Sequence, residues 1–303
     1  MERVLRTGAR TEPARPLTGG GGAAPPGAAD QGWGNFQYRF TGDDFARVRG
    51  FIYRNAGISL APGKMDMVYS RLARRLRARG MESFSQYLDL VESGDLQEVE
   101  AFINALTTNM TSFFREPHHF RLLAERLRQR RDQKQVSIWS CASSSGEEPY
   151  SIAMTALDAL PAGSGLSILA TDIDTNVLSR GSEGVYPVDQ LPKIPEPYRK
   201  RFFLRGEGSN EGFIRVKEEL RRAVTFRRLN LLDAQWPMRG KFDFVFCRNV
   251  MIYFDRPTQL AVLERISRVL HPDGLLFVGH SESLHHAPEL FRVCGNTTYA
   301  LRS

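Results

Sequence analysis

The sequence predicts an α/β protein: a parallel sheet flanked by helices, with a small all-helical domain in front and an antiparallel insertion near its middle. Three observations carry this. After Gln135, short apolar runs alternate with helical patterns, as in parallel strands joined by crossover helices. From Phe36 to about Arg131, apolar residues recur at helical spacing with no β-branched alternation. Between about Pro192 and Val224 the regular alternation gives way to two short strand-like pieces around a Gly-rich turn.

Composition bounds the reading. The 303 residues are 42% hydrophobic and 25% charged, ordinary for a soluble globular protein and enough for a core without disulfides or metals. The three cysteines, Cys141, Cys247 and Cys294, lie far apart and fit no zinc-ligand spacing, so free thiols in a reducing compartment are expected. No apolar run approaches the ~18–20 residues of a membrane span, and no signal-peptide h-region opens the chain. A cytoplasmic protein is expected. The net charge of +7 implies an acidic partner or nucleic acid without choosing between them.

The elements follow in order. Residues 1–34, with four consecutive glycines and several prolines, cannot bury enough apolar surface to fold and are expected to be a disordered tail. The helical domain is expected over 35–117. "TGDDFARVRGFIYRNAG" opens on capping residues and stops at Gly57. "KMDMVYSRLARRLRARG" sets Met65, Tyr69, Leu72 and Leu76 on one face and gathers Lys64, Arg71, Arg75 and Arg79 on another. "MESFSQYLDLVESG" and "LQEVEAFINALTTN" give two more helices. The α/β domain is expected over 118–303, with the insertion at 192–224. Its strands are read at "VSIWSCA", "LSILATDID", "FDFVFCRNVMIYF" and "DGLLFVGHSES". Helices stand at "EEPYSIAMTALDAL", "TNVLSRGSEG" and "TQLAVLERISRVL", and a terminal hairpin turns at the "GN" of "FRVCGNTTYALRS".

Two stretches point to a nucleoside site. The loop Ala142–Gly146 between the first strand and its helix is made of small residues that let a ligand approach the backbone. Asp172 ends the second strand about 25 residues on, where an acid can accept both ribose hydroxyls, while Asp174 suits a helix cap. Glu147 and Glu148 follow the loop and would repel a pyrophosphate. They suit S-adenosylmethionine, which carries a sulfonium and an ammonium, or they simply favour a helix N-terminus. His118 and His119 invite a metal reading. Neighbours on a helix point in different directions, and no further His or Cys stands at ligand spacing, so no metal is expected. Pro117 just before them fits a first helical turn.

Seven stretches in order resemble the CheR family of chemotaxis receptor glutamate methyltransferases: "TTNMTSFFREPHHF", "WSCASSSGEEPYSIA", "ATDIDTNVLSRG", "RFFLRGEGSNEGFIRV", "NLLD", "FDFVFCRNVMIYFD" and "PDGLLFVGHSESL". They span about residues 36–301. The resemblance implies a class I, Rossmann-like methyltransferase sheet with a helical N-terminal domain. It also implies methyl transfer from S-adenosylmethionine to receptor glutamates, giving γ-methyl esters. Carried over by motif, the cofactor would meet Asn109, Thr111, Arg115, Glu147, Asp172, Asn230, Leu231, Arg248 and Asn249. In "CASSSG", Cys141 and Ser144 stand where relatives often carry Ala and Thr, a small-for-small change.

Methyl transfer to a carboxylate needs no general base, because the acceptor is already ionised near neutral pH. Positioning and charge control remain. Arg115 is expected to orient the target carboxylate or the cofactor end near it, and Tyr253 to align the methyl. Tyr253 as a plain core aromatic is the competing reading. The basic helix 64–79 is expected either to dock on acidic receptor helices or to be a solvated face. The insertion resembles the family's β-subdomain, which in some members holds a C-terminal receptor peptide as an added strand. Association with receptor clusters at the membrane would follow, without membrane insertion. A methyltransferase for another acidic substrate is one alternative. A non-catalytic cofactor-sensing or receptor-binding module is the other. Nucleic acid is disfavoured: "NVMIY" is not a base-flipping motif, and the basic face lacks interleaved aromatics.

Overall fold

The computed structural model describes residues 37–130 and 134–302, so the expected tail at 1–34 lies outside the described residues. Four helices come first. Helix α1 (Gly42–Ala56) begins with a reciprocal capping box between Thr41 and Asp44 and ends at Gly57 in the left-handed region. Helix α2 (Met65–Arg79) stops at left-handed Gly80. Ser83 caps α3 (Phe84–Glu92), and Asp95 caps α4 (Leu96–Leu106). Val48, Ile52, Leu72, Leu76, Phe84 and Phe102 close one core among them. Each such fully buried side chain contributes about 1.5–3 kcal/mol of transfer free energy.

The basic side of α2 is not the single solvated face its spacing allowed. Arg71 Nη1 donates to the carbonyls of Leu106 and Thr107, 3.0 and 2.7 Å away, capping the end of α4. Arg75 forms a two-pronged pair with Glu98 at 3.0 and 2.9 Å, and Glu98 is buried. Arg79 reaches the same carboxylate at 3.2 Å, and the Tyr87 hydroxyl donates to it at 2.8 Å. These arginines build the domain; Lys64, Arg74 and Arg77 remain exposed. The helical period placed the charges correctly, but it could not show that α4 brings a carboxylate and a row of free carbonyls against them.

The α/β part follows. Helix α5 (Pro117–Gln129) leads to β1 (Gln135–Ser140), α6 (Glu147–Ala159), β2 (Gly165–Asp172) and α7 (Thr175–Glu183). Next come β3 (Val185–Pro187), α8 (Glu196–Phe202), β4 (Phe203–Arg205), β5 (Phe213–Val216) and α9 (Glu218–Ala223). The chain continues with β6 (Val224–Arg228), β7 (Phe242–Phe246), α10 (Arg256–Val269) and β8 (Leu270–Phe277). It closes with β9 (Phe291–Gly295) and β10 (Thr298–Leu301).

The main sheet has seven strands in the order β6-β2-β1-β7-β8-β10-β9. The run from β6 to β8 is parallel, and β10 pairs antiparallel with both β8 and β9. The sheet is therefore mixed, because the terminal hairpin folds back and places its second strand inside. That hairpin turns at Asn296 and Thr297, since Gly295 is still paired with Thr298. The turn thus sits one residue later than the "GN" reading.

Strand β7 is buried throughout. Phe244 and Phe246 point into the core on one side of the sheet, while Val245 and Cys247 point into the core on the other. Cys141 and Cys247 are buried and Cys294 is half-buried, all as free thiols. A second sheet of three antiparallel strands, β3-β5-β4, holds the insertion. It recruits Val185–Pro187, ahead of the 192–224 span, because β3 needs only three residues and leaves almost no periodic signal. Val224, the expected end of the insertion, instead starts an edge strand of the main sheet.

Candidate active site

Ser140 pairs with Ala170 on one side and Phe246 on the other, so β1 and β7 end level and β2 runs on to Asp172. At their carboxyl ends lies a cavity of about 540 Å³, the place where open parallel sheets bind ligands. Its walls come from four sources: the ends of these strands, the Leu229–Leu231 stretch after β6, the segment from Leu106 to Arg115, and α2 with the turn before it.

The strand-end side is built around Asp172. Its Oδ2 accepts the Ser144 amide at 2.9 Å and its Oδ1 accepts the Asp174 amide at 3.0 Å. The carboxyl is thereby aimed and keeps lone pairs for further donors. Burial raises it to about 6, against the opposing pull of those two amides. The loop beside it packs tightly. A side chain on Gly146, at φ 97°, would meet the Tyr186 hydroxyl at 2.7 Å and the Gly181 backbone at 3.0 Å. Asp174 caps α7, as its position after the strand suggested. Ile173, Leu229 and Leu231 supply an apolar stretch next to Asp172. The Asn230 amide donates to the Asn55 carbonyl at 2.7 Å, fixing this stretch to α1.

Arg248 organises the floor. It is buried, and its Nη1 donates to Glu148 at 2.8 Å. Its Nη2 donates to the Arg115 carbonyl at 2.6 Å and lies 3.4 Å from Glu116. Burial would push Glu116 up, but Arg248 and His280 outweigh it and hold its carboxyl at about 2. Asn249 stands at φ 59° with its amide on Glu282 at 2.8 Å.

The Leu106–Arg115 segment closes the cavity. Asn109 donates to Asp174 at 2.7 Å, and its carbonyl accepts the Ser144 hydroxyl at 3.1 Å, stitching segment to loop. Arg115 donates to the Met110 carbonyl at 3.1 Å. Phe113 is buried against Tyr186 and Phe203, and Phe114 stacks on Tyr198. Thr111 and Tyr253 also line the cavity. Among the described residues, no hydrogen bond is made by the Tyr253 hydroxyl, unlike a satisfied core tyrosine.

The cavity thus brings together Asn109, Thr111, Arg115, Asp172, Asn230, Leu231, Arg248, Asn249 and Tyr253. Glu147 is not among its lining residues. Its carboxylate accepts the Ser145 hydroxyl at 2.8 Å, and the cations acting on it are Lys193 and Arg180. Glu148, its neighbour, lines the cavity instead. Two adjacent glutamates at a helix start face different ways, and only the phase of α6 decides which one faces the site. Lys64, Arg71 and the α1–α2 turn at Ile58–Ala61 were not legible as site residues, because nothing in their spacing marks a ligand.

His118 and His119 do not diverge as expected. Their ring centroids lie 4.1 Å apart, and both rings meet the Thr297 hydroxyl, at 3.4 and 2.8 Å. With Glu116 they place ligand-type atoms within 4.8 Å of one another. The Arg248 guanidinium beside the same Glu116 carboxylate opposes a cation there. Thr297, in the hairpin turn at the far end of the sequence, is what draws the two rings together.

The residues fit S-adenosylmethionine: an aimed carboxylate for a ribose diol, an apolar stretch beside it, a loop of small residues, and Arg115 for a carboxylate. Comparison with known proteins agrees. Residues 43–107 match the family model described as "CheR methyltransferase, all-alpha domain". Residues 109–300 match "CheR methyltransferase, SAM binding domain". The chain is 51% identical to chemotaxis protein methyltransferase 2 of Pseudomonas aeruginosa, over 88% of this chain and 96% of that one. It is 50% identical to the chemotaxis protein methyltransferase of Escherichia coli, over 85% and 90%. A probable chemotaxis protein methyltransferase of Rhizobium etli is 42% identical, over 82% and 96%.

Proposed function

The chain belongs to the CheR methyltransferase family, and on that premise we propose that it esterifies glutamate side chains of chemotaxis receptors with the methyl group of S-adenosylmethionine. The observation that carries this reading is the pairing in one cavity of an aimed carboxylate, Asp172, with Arg115 and an unengaged Tyr253 hydroxyl. When bound, S-adenosylmethionine would supply an electrophilic methyl to the already ionised acceptor carboxylate, the sulfonium–methyl bond breaking as S-adenosylhomocysteine leaves.

The protein's own residues then position and shield. Asp172 would take the ribose hydroxyls, and Ile173, Leu229 and Leu231 would hold the base. Asn109, Thr111 and Asn249 complete the cofactor wall. Arg115 draws the acceptor carboxylate toward the reacting centre, and the Tyr253 hydroxyl holds it in line. Arg248, whose Nη1 and Nη2 are held by carboxylates and a carbonyl, keeps the floor rigid. Glu147 acts at one remove, holding the small-residue loop through Ser145.

Receptor docking uses the exposed cations Lys64, just ahead of α2, and Arg74 on it, rather than Arg71 and Arg75. A receptor peptide adds to the free edge of the β3-β5-β4 sheet, next to exposed Leu204 and Phe213. Among the described residues no helix is long and apolar enough to cross a membrane, so attachment to receptor clusters would come through these contacts. The deciding experiment incubates the protein with methyl-labelled S-adenosylmethionine and receptor-bearing membranes of its own organism. Base-labile label on the receptor is expected. Label elsewhere, or cofactor binding without transfer, would sink the reading.

A further inference from the structure

The structure exposes Met110 and Ile252 to water at 82% and 52%, although both are large apolar side chains. Six other large hydrophobics among the described residues are comparably exposed: Tyr53, Leu96, Val185, Leu204, Phe213 and Val293. None of those six lines the cavity, whereas Met110 and Ile252 both do. A side chain that borders a cavity and is still mostly in water stands at its mouth. Both sit next to the residues assigned to the reaction. The Met110 carbonyl holds Arg115, and Ile252 directly precedes Tyr253. Each is held by its neighbours: the Met110 carbonyl accepts from Arg115, and Ile252 lies between buried Met251 and cavity-lining Tyr253.

We propose that Met110 and Ile252 form an apolar rim that selects the acceptor: an acidic segment whose target carboxylate is flanked by apolar side chains. This rests on the functional reading above and adds to it the identity of the residues that read the acceptor's surroundings. Charge complementarity specifies the rest of the occupant. Lys64 and Arg115 line the same cavity and favour an anionic segment. Cations alone would accept any surface carboxylate, whereas the rim gains only when apolar surface comes with it. The acceptor's own methylenes and its apolar neighbours would cover Met110 and Ile252 and push water from the mouth as the carboxylate reaches Arg115.

The test separates substrate reading from cofactor binding and from folding. Met110→Ser, Ile252→Ser and the double variant are assayed for receptor methylation, with S-adenosylhomocysteine affinity measured by calorimetry in parallel. Each single variant should raise the receptor KM about fivefold to tenfold, and the double variant more, as expected for losing the partial burial of one apolar side chain each. The cofactor-product Kd should stay within about twofold. Met110→Leu and Ile252→Leu should restore the receptor KM. An unchanged KM in the serine variants overturns the rim while leaving the methyltransferase reading intact. So does a loss of S-adenosylhomocysteine affinity that matches the loss for receptor. If the wild-type protein transfers no label to receptor, the functional reading fails first and the rim falls with it.

Discussion

Arg248 and Glu148 meet at 2.8 Å in the cavity floor, with side chains only 1% and 12% exposed. The pair joins the end of β7 to the start of α6. Glu116 completes the arrangement from the other side of the guanidinium, 3.4 Å away. Replacing Glu148 by Ala leaves Arg248 buried with half its compensation. Such losses cost about 3–5 kcal/mol. Urea unfolding should show a drop of that order, larger than for Glu147→Ala. A drop below about 1 kcal/mol would mean that Arg248 is not held this way.

The Asp172 carboxyl, raised by burial to about 6, gives two opposite pH trends. Between its ordinary 3.8 and about 6 the folded protein keeps a proton that the unfolded chain has released. The stability contributed by that proton is present at low pH and is lost as pH rises through about 6. Ligand affinity moves the other way, because only the ionised carboxylate accepts both ribose hydroxyls. S-adenosylhomocysteine binding should weaken by up to about tenfold per unit as pH falls below 6. Calorimetry across this range checks the sign. Asp172→Asn should flatten the profile, and an unaltered profile in that variant would assign the titration to another group.

Charge reversal on α2 should divide cleanly. Arg75→Glu sets two carboxylates against each other at buried Glu98 and should lower the thermal midpoint by several degrees. Arg74→Glu changes an exposed residue, so the midpoint should hold while receptor methylation at low salt slows by about threefold or more. Equal thermal effects of the two reversals would contradict the division of roles described for α2.

Tyr253→Phe removes a hydroxyl that has no partner among the described residues and should leave stability unchanged. Turnover should fall by about tenfold or more with S-adenosylhomocysteine affinity intact, as for loss of one positioned donor at a reacting centre. Unchanged turnover would reduce Tyr253 to a wall of the cavity.

Gly57 ends α1 at φ 68°, and a Cβ there would meet a Leu232 methyl at 2.7 Å and the Phe254 ring at 3.2 Å. Gly57→Ala should cost about 1–2 kcal/mol from the backbone alone, with the contacts adding to it. Because Phe254 lines the cavity, ligand affinity should fall as well. A neutral effect in denaturant titration would mean that the turn relaxes freely.

Local chemistry made most of the framework readable. The Thr41–Asp44 box, the glycine stops, the strand–loop–helix at Ser140–Glu147 and the acid at Asp172 each announce themselves within a few residues. What stayed hidden depends on partners distant in sequence. Arg75 reads as a surface cation until Glu98 is seen 23 positions away. His118 and His119 read as divergent until Thr297 comes between them. Glu147 and Glu148 are indistinguishable by type, and a rotation of one residue along α6 decides which meets Arg248. The short strand β3 carries too few residues for any alternation to register.

Two rows of contacts fasten the helical domain to the sheet domain on either side of the cavity. One row joins Tyr53 to Asp255, Asn55 to Asn230 and Ser59 to Tyr253. The other joins Asn104 to Thr175 and Thr107 to Asp174. The two domains are therefore not interchangeable modules. A chimera that grafts the helical domain of one relative onto the sheet domain of another would inherit a half-built cavity wall unless both rows of matching residues travel with the graft.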